Sequence, residues 1–217
     1  MSPSRESRTS RAITPRPAAL GAQVGEARLK DEFPKVLRTV AGVCTEWHSD
    51  AGELRGAAVL MSFKELAVID AASERIESPA PPDSEVVVSL LRSAMAKLSA
   101  PPDLLFVCGH GVSHASRAGL AVRLGVLMDL PTIGVARESD VGTSKPLHEM
   151  RGAFSPLREG GVQIGWVLRS KIESPPLIVS PGHRVSMAAA PELVMDVMRS
   201  DRIPEPIRIA ESYFQGE

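Results

Sequence analysis

Apolar and polar positions change period several times along the chain. Residues 35–47, 54–63 and 65–76 are short apolar-rich runs joined by turn formers such as Asp50-Ala51-Gly52, and they predict a three-stranded meander. A proline-rich stretch, residues 79–82, ends it. Asp83 or Ser84 is placed to cap a helix in which Val87, Leu90, Leu91, Ala94, Met95 and Leu98 recur at helical spacing. Residues 104–108 (LLFVC) form a nearly unbroken apolar run, the pattern of a strand covered on both faces, and Gly109-His110-Gly111 follows at once. The pattern then predicts a helix near 116–128, strands at 131–136, 163–169 and 177–180, and a closing helix at 194–199. Strands that alternate with helices after an initial meander predict a single α/β domain with a mixed sheet flanked by helices.

Residues 1–25 are rich in Ser, Pro and Arg (Arg5, Arg8, Arg11, Arg16) and cannot bury enough surface to offset ordering entropy, so a disordered N-terminal arm is expected before a domain at 26–217. Across 217 residues, 25 basic side chains stand against 26 acidic ones. That balance argues against a protein that holds nucleic acid mainly through an excess of positive charge. Aromatic residues make up only 4%, which weakens any reading built on stacked bases. Two cysteines, no signal-peptide pattern and no apolar run near a membrane span point to a cytoplasmic protein without a membrane partner, with a monomer as the expected state.

Individual segments are more specific than composition. FVCGHGVSH at 106–114, LPTIGVA at 130–136, Arg169-Ser170-Lys171, Gly182-His183-Arg184-Val185-Ser186 and Pro204-Glu205-Pro206 stand in the order and approximate spacing of the endonuclease V family. The chain resembles that family from about Thr39 to Glu211. The resemblance implies a ribonuclease-H-like fold and, in ordinary members, divalent-metal cleavage of nucleic acid near deaminated purines such as inosine. It also implies that the loop at Gly109 and Gly111 helps enclose a flipped base, and that His183 sits beside the metal.

Departures from the family pattern fall on its chemistry. The resemblance implies an aspartate after Ala41-Gly42-Val43 and another before Gly109-His110-Gly111; this chain has Cys44 and Cys108, its only cysteines. The tyrosine wedge that opens the duplex is absent, Glu85 matches the third carboxylate only with a one-residue shift, and Arg137 replaces an expected lysine. A hard ion such as Mg²⁺ wants carboxylate and water oxygens, so no Mg²⁺ chemistry is expected. Three replacements follow from the residues. Cys108 or Cys44 acts as a nucleophile with His183 as base and a lowered thiol pKa. Alternatively Cys44, Cys108 and His183 hold Zn²⁺, with Glu46, Glu85 or water as fourth ligand. Or the two thiols form a disulfide pair on adjacent strands. Gly109, His110, Gly111, His114, Glu46, Glu85, Arg137 and Lys171 are the candidate substrate-binding residues. The leading expectation is a non-nuclease, cysteine-dependent biosynthetic enzyme that needs no cofactor and carries out group transfer or ring formation on a small or carrier-bound metabolite. A Zn²⁺ hydrolase and a non-cleaving binder of deaminated or damaged nucleic acid stand as alternatives, nucleic acid being the less favoured partner.

Overall fold

A computed structural model describes residues 27–139 and 141–214. The expected N-terminal arm, 1–25, lies outside the described residues. Eight strands build one mixed sheet in the order β3-β2-β1-β4-β5-β8-β7-β6. β1 (Thr39–His48), β2 (Glu53–Ser62) and β3 (Val68–Glu77) form the antiparallel meander, and β1 then pairs in parallel with β4 (Leu104–Cys108). β4 is parallel to β5 (Thr132–Ala136). β8 (Leu177–His183) runs antiparallel to β5, and β7 (Val162–Leu168) and β6 (Phe154–Glu159) continue antiparallel to the far edge.

Alternation along the strands sorts side chains between two cores. Val40, Cys44, Leu104, Phe106, Ile133 and Val179 point to the face covered by α3 (Ala190–Asp196) and α4 (Glu205–Ser212). Ala41, Val43, Leu105 and Val107 point to the face covered by α1 (Ser84–Ala96) and α2 (Leu120–Met128). Phe106 and Leu104 are fully buried, each contributing about 1.5–3 kcal/mol relative to an exposed side chain. The expected α/β architecture is therefore the one observed, and Asp83 caps α1, its carboxylate accepting from the backbone N–H groups of Glu85 and Val86.

Local differences have local causes. β1 starts at Thr39 rather than 35, because the Asp103 carboxylate accepts from Arg38 N and Thr39 N and fixes where pairing begins. The second helix starts at Leu120 rather than 116, since Gly119 N donates to Gly111 O and the preceding residues turn instead. β6 was not foreseen; its Pro156 is tolerated because the strand is the sheet edge. α4 was not foreseen either, yet its prolines suit a first turn, where a missing N–H costs nothing. Among the described residues no helix is long and apolar enough to cross a membrane.

Candidate functional site

Parallel pairing of β1 with β4 sets Val43 beside Val107, so the next residue of each strand, Cys44 and Cys108, lies at the same level and on the same face. α4 crosses this face. Cys44 is buried, its Sγ 3.6 Å from the Ile207 carbonyl oxygen of α4, and Cys108 is half-buried at the end of β4. One turn further along α4, the Glu211 carboxylate stands 3.7 Å from Cys108 Sγ. The donor atoms of Cys44, Cys108 and Glu211 all lie within 4.8 Å of one another. Arg137, just past β5, donates from Nη2 to Glu211 Oε1 at 2.7 Å, and its Nη1 is 3.8 Å from Cys108 Sγ. The group opens into a cavity of about 260 Å³ lined by Thr45, Glu46, Cys108, Arg137, Glu211 and Phe214.

The two thiols differ electrostatically. Burial, reinforced by the neighbouring Cys108, pushes the Cys44 thiol well above its ordinary value. Cys108 moves down, first because Cys44 hydrogen-bonds to its sulfur and then because of the Arg137 guanidinium, against the opposing effects of burial and Glu211. Deprotonation is thus easier at the more accessible sulfur than at Cys44.

His183 is not brought to the thiols. β8 runs antiparallel to β5, so its last residue pairs with Thr132, which is level with Leu105 and roughly 10 Å back along the strands from Cys108. A Cβ on Gly125 of α2 would meet His183 Cβ, which places the histidine on the opposite face as well. There it is buried, accepts from Arg28 N at Nδ1 (3.2 Å) and approaches Asp129 at Nε2 (3.3 Å). Burial holds its pKa below the usual range despite Asp129. The expected Cys-His pair and the expected Cys44-Cys108-His183 ligand set are both corrected by this strand direction.

Other expected residues are spread over several places. Glu46 lines the thiol cavity and pairs with His48 at 3.2 Å. Glu85 lies in the first turn of α1 on the other face of the sheet, outside the thiol group. Lys171 is exposed in the connection from β7 to β8. Gly109 closes β4 through its N–H to Val135 O. His110 and His114 line a second cavity of about 360 Å³ with Pro82, Val87, Leu120 and Arg123. Its loop is tightly held: Gly111 N donates to Ser180 Oγ, Ser180 Oγ shares a hydrogen bond with Ser113 Oγ, and Ser113 Oγ with His110 Nδ1, each at 2.9 Å. Gly111 packs so closely on β8 that a Cβ would lie 2.2 Å from Pro181 O. Glu211 was missed in the sequence, although it stands seven residues after Pro204 on a stretch whose Pro-Glu-Pro start is a helix signal.

Comparisons with known proteins agree on one family. The endonuclease V family model matches residues 23–212. The endonuclease V of Azotobacter vinelandii is 43% identical over 192 residues, covering 86% of this chain and 86% of that protein. The crystal structure of endonuclease V from Streptomyces avermitilis superposes with a TM-score of 0.82 at 30% identity, over 91% of this chain and 89% of that one. The fold is shared also with a Ciona intestinalis endonuclease V solved in complex with a 24mer DNA containing an inosine followed by a ribo-adenosine (TM-score 0.70, 19% identity, 89% and 92% covered). These relatives overturn the expectation of a non-nuclease cysteine enzyme on a small metabolite, and with it the placing of nucleic acid as the less favoured partner. An enzyme family is what they indicate, but a nuclease one rather than a cysteine-dependent transferase or cyclase. With a family match along nearly the whole described domain, a relative 43% identical and a shared fold, the chain belongs to the endonuclease V family.

Proposed function

We propose that this protein is an endonuclease that hydrolyses a phosphodiester near a deaminated purine, with Cys44, Cys108 and Glu211 as the centre of the site. The observation that carries this reading is the convergence of β1, β4 and α4 on one donor group, two residues along the chain from the His110 loop and its separate cavity. Cys44, Cys108 and Glu211 would hold a divalent ion, which when bound would supply positive charge to activate water and offset the developing anion. Arg137 presents a planar guanidinium at the same opening and suits a phosphate oxygen, and Glu46 faces the same space. The cavity at His110 and His114 receives the base once it has left the stack, a step that enzymes acting on bases require. Gly109 lets β4 end between the two cavities, and Lys171 adds a cation on the connection that leaves β7. The family resemblance supports the reaction, and the inosine carried by the DNA bound to the Ciona intestinalis protein supports the choice of base.

The test is nicking of DNA and RNA oligonucleotides that carry one hypoxanthine base, against adenine controls, with Mg²⁺, Mn²⁺, Co²⁺ and Zn²⁺ supplied separately. Cleavage near hypoxanthine that stops on chelation and is lost in Glu211→Gln is the expected result. Failure to cleave either substrate with any of the four ions would overturn the proposal.

A further inference from the structure

Two thiols and one carboxylate make a poor cradle for the ion that an all-carboxylate site takes. Mg²⁺ demands an octahedron of oxygens at about 2.0–2.1 Å, and a thiol offers neither the hardness nor the bond length. From this mismatch we infer that the Cys44-Cys108-Glu211 centre is a selective site for a thiophilic divalent ion of the zinc class, held by three protein ligands with the fourth position open to the cavity. The nuclease reading supplies the use of such an ion; selectivity itself rests on the donors.

Geometry supports the assignment independently of donor type. Tetrahedral Zn²⁺ with a sulfur ligand at about 2.3 Å and an oxygen at about 2.0–2.2 Å sets donor atoms about 3.5–3.8 Å apart. Cys108 Sγ and Glu211 Oε1 are already 3.7 Å apart, and no two donors of the trio are separated by more than 4.8 Å. The trio therefore needs a contraction of about 1 Å at most to reach the bound spacing. Three ligands come from three elements that are fixed otherwise: Cys44 by β1 pairing, Cys108 by β4 pairing and Glu211 by α4 packing. The open side faces Arg137 and Glu46 rather than apolar core, the arrangement in which catalytic zinc keeps an exchangeable position. Arg137 also matters for charge, since two thiolates, one carboxylate, one guanidinium and a divalent ion sum to neutrality.

The experiment is metal titration of the full chain, reduced and kept anaerobic, without nucleic acid. Co²⁺ serves as the spectroscopic probe, and competition against a chromogenic chelator reports Zn²⁺ affinity. One Co²⁺ per chain, intense tetrahedral visible bands and a near-ultraviolet thiolate-to-cobalt band are expected, with Zn²⁺ displacing the cobalt and a large excess of Mg²⁺ leaving the spectrum unchanged. Glu211→Gln, which touches no strand pairing, should keep the thiolate band and weaken affinity by at least about 10- to 100-fold, the loss that even an outer-shell partner causes. Cys108→Ser should remove much of the thiolate band. Weak octahedral spectra without that band, displacement by Mg²⁺, unchanged affinity in Glu211→Gln, or a native disulfide whose reduction restores no metal uptake would each overturn the inference. Tight Zn²⁺ binding without nicking would refute the nuclease reading and leave the metal inference standing. Nicking with Mg²⁺ and no thiolate band would do the reverse.

Discussion

Gly42 is the position through which a single methyl group should dismantle the site from outside it. A Cβ there would lie 2.0 Å from Pro206 O and 2.7 Å from Ile207 N, at the start of α4. Ordinary contact begins near 3.4 Å, so Gly42→Ala must drive β1 and α4 apart by roughly 1.4 Å. Both partners are backbone and no rotamer can relieve the clash. Overpacking a filled core costs about 1–3 kcal/mol, and a backbone obstacle belongs at the upper end. For a domain of this size that is a fall in Tm of about 6–12 °C. Glu211 rides on the same helix, and a retreat of that size stretches its 3.7 Å approach to Cys108 to about 5 Å, well past the spacing of about 3.5–3.8 Å that a zinc-class ion requires. Thermal melts together with chelator competition should therefore show lower stability and at least about 10-fold weaker Zn²⁺ binding. A Gly42→Ala protein that melts within about 2 °C of the parent and binds Zn²⁺ equally well would refute the reasoning.

Three further outcomes are expected. Because burial depresses the His183 pKa, the unfolded chain takes up a proton first as pH falls below about 6.5, so stability is full above that value and declines below it; urea midpoints measured from pH 7.5 to 5.5 should show this slope, and His183→Gln should flatten it, an unchanged slope counting against the assignment. In the metal-free chain iodoacetamide should modify Cys108 before Cys44, and Cys44→Ala should raise the pH midpoint of that labelling by removing the hydrogen bond that stabilises the Cys108 thiolate; mass spectrometry that finds Cys44 labelled first would contradict it. Arg137→Gln should weaken binding to hypoxanthine-containing DNA and reduce the slope of log affinity against log salt by about 0.9, the share of one phosphate contact; an unaltered slope would remove Arg137 from the phosphate path.

Much of the sheet was legible because its central strands carry unambiguous patterns. β4 coincides with its apolar run since both of its faces are covered, and the partnership of Cys44 with Cys108 follows once β1 and β4 are adjacent. His183 could not be placed in this way: periodicity reveals a strand at 177–180 but neither its extension to His183 nor its direction, and only the antiparallel run of β8 carries that residue to the other end of the central strands. Two elements with prolines went unassigned. Pro156 argues against a strand unless the strand is an edge, and Pro204-Glu205-Pro206 entered only as a family motif although prolines suit the first turn of a helix. Losing α4 concealed Glu211, so His183 was grouped with the two cysteines where the fold places Glu211.

If Cys44, Cys108 and Glu211 hold an ion as proposed, the distance along the chain between them ties the protein's abundance to its ion supply. Cys108 and Glu211 are separated by 103 residues, and Cys44 lies on a strand that precedes β4 by a helix and two strands. An unfolded chain must close both large loops before it can present the trio, at an entropic cost that rises with the logarithm of loop length. An ion that prefers this trio consequently binds almost none of the unfolded population. Its whole affinity then counts toward the folded state, about 2.7 kcal/mol when free ion stands at 100 times Kd. Proteolysis acts on the unfolded fraction, which that linkage reduces roughly 100-fold. Starvation for the ion should thus deplete the protein itself along with its activity, and refeeding should restore activity only as fast as new chains are made.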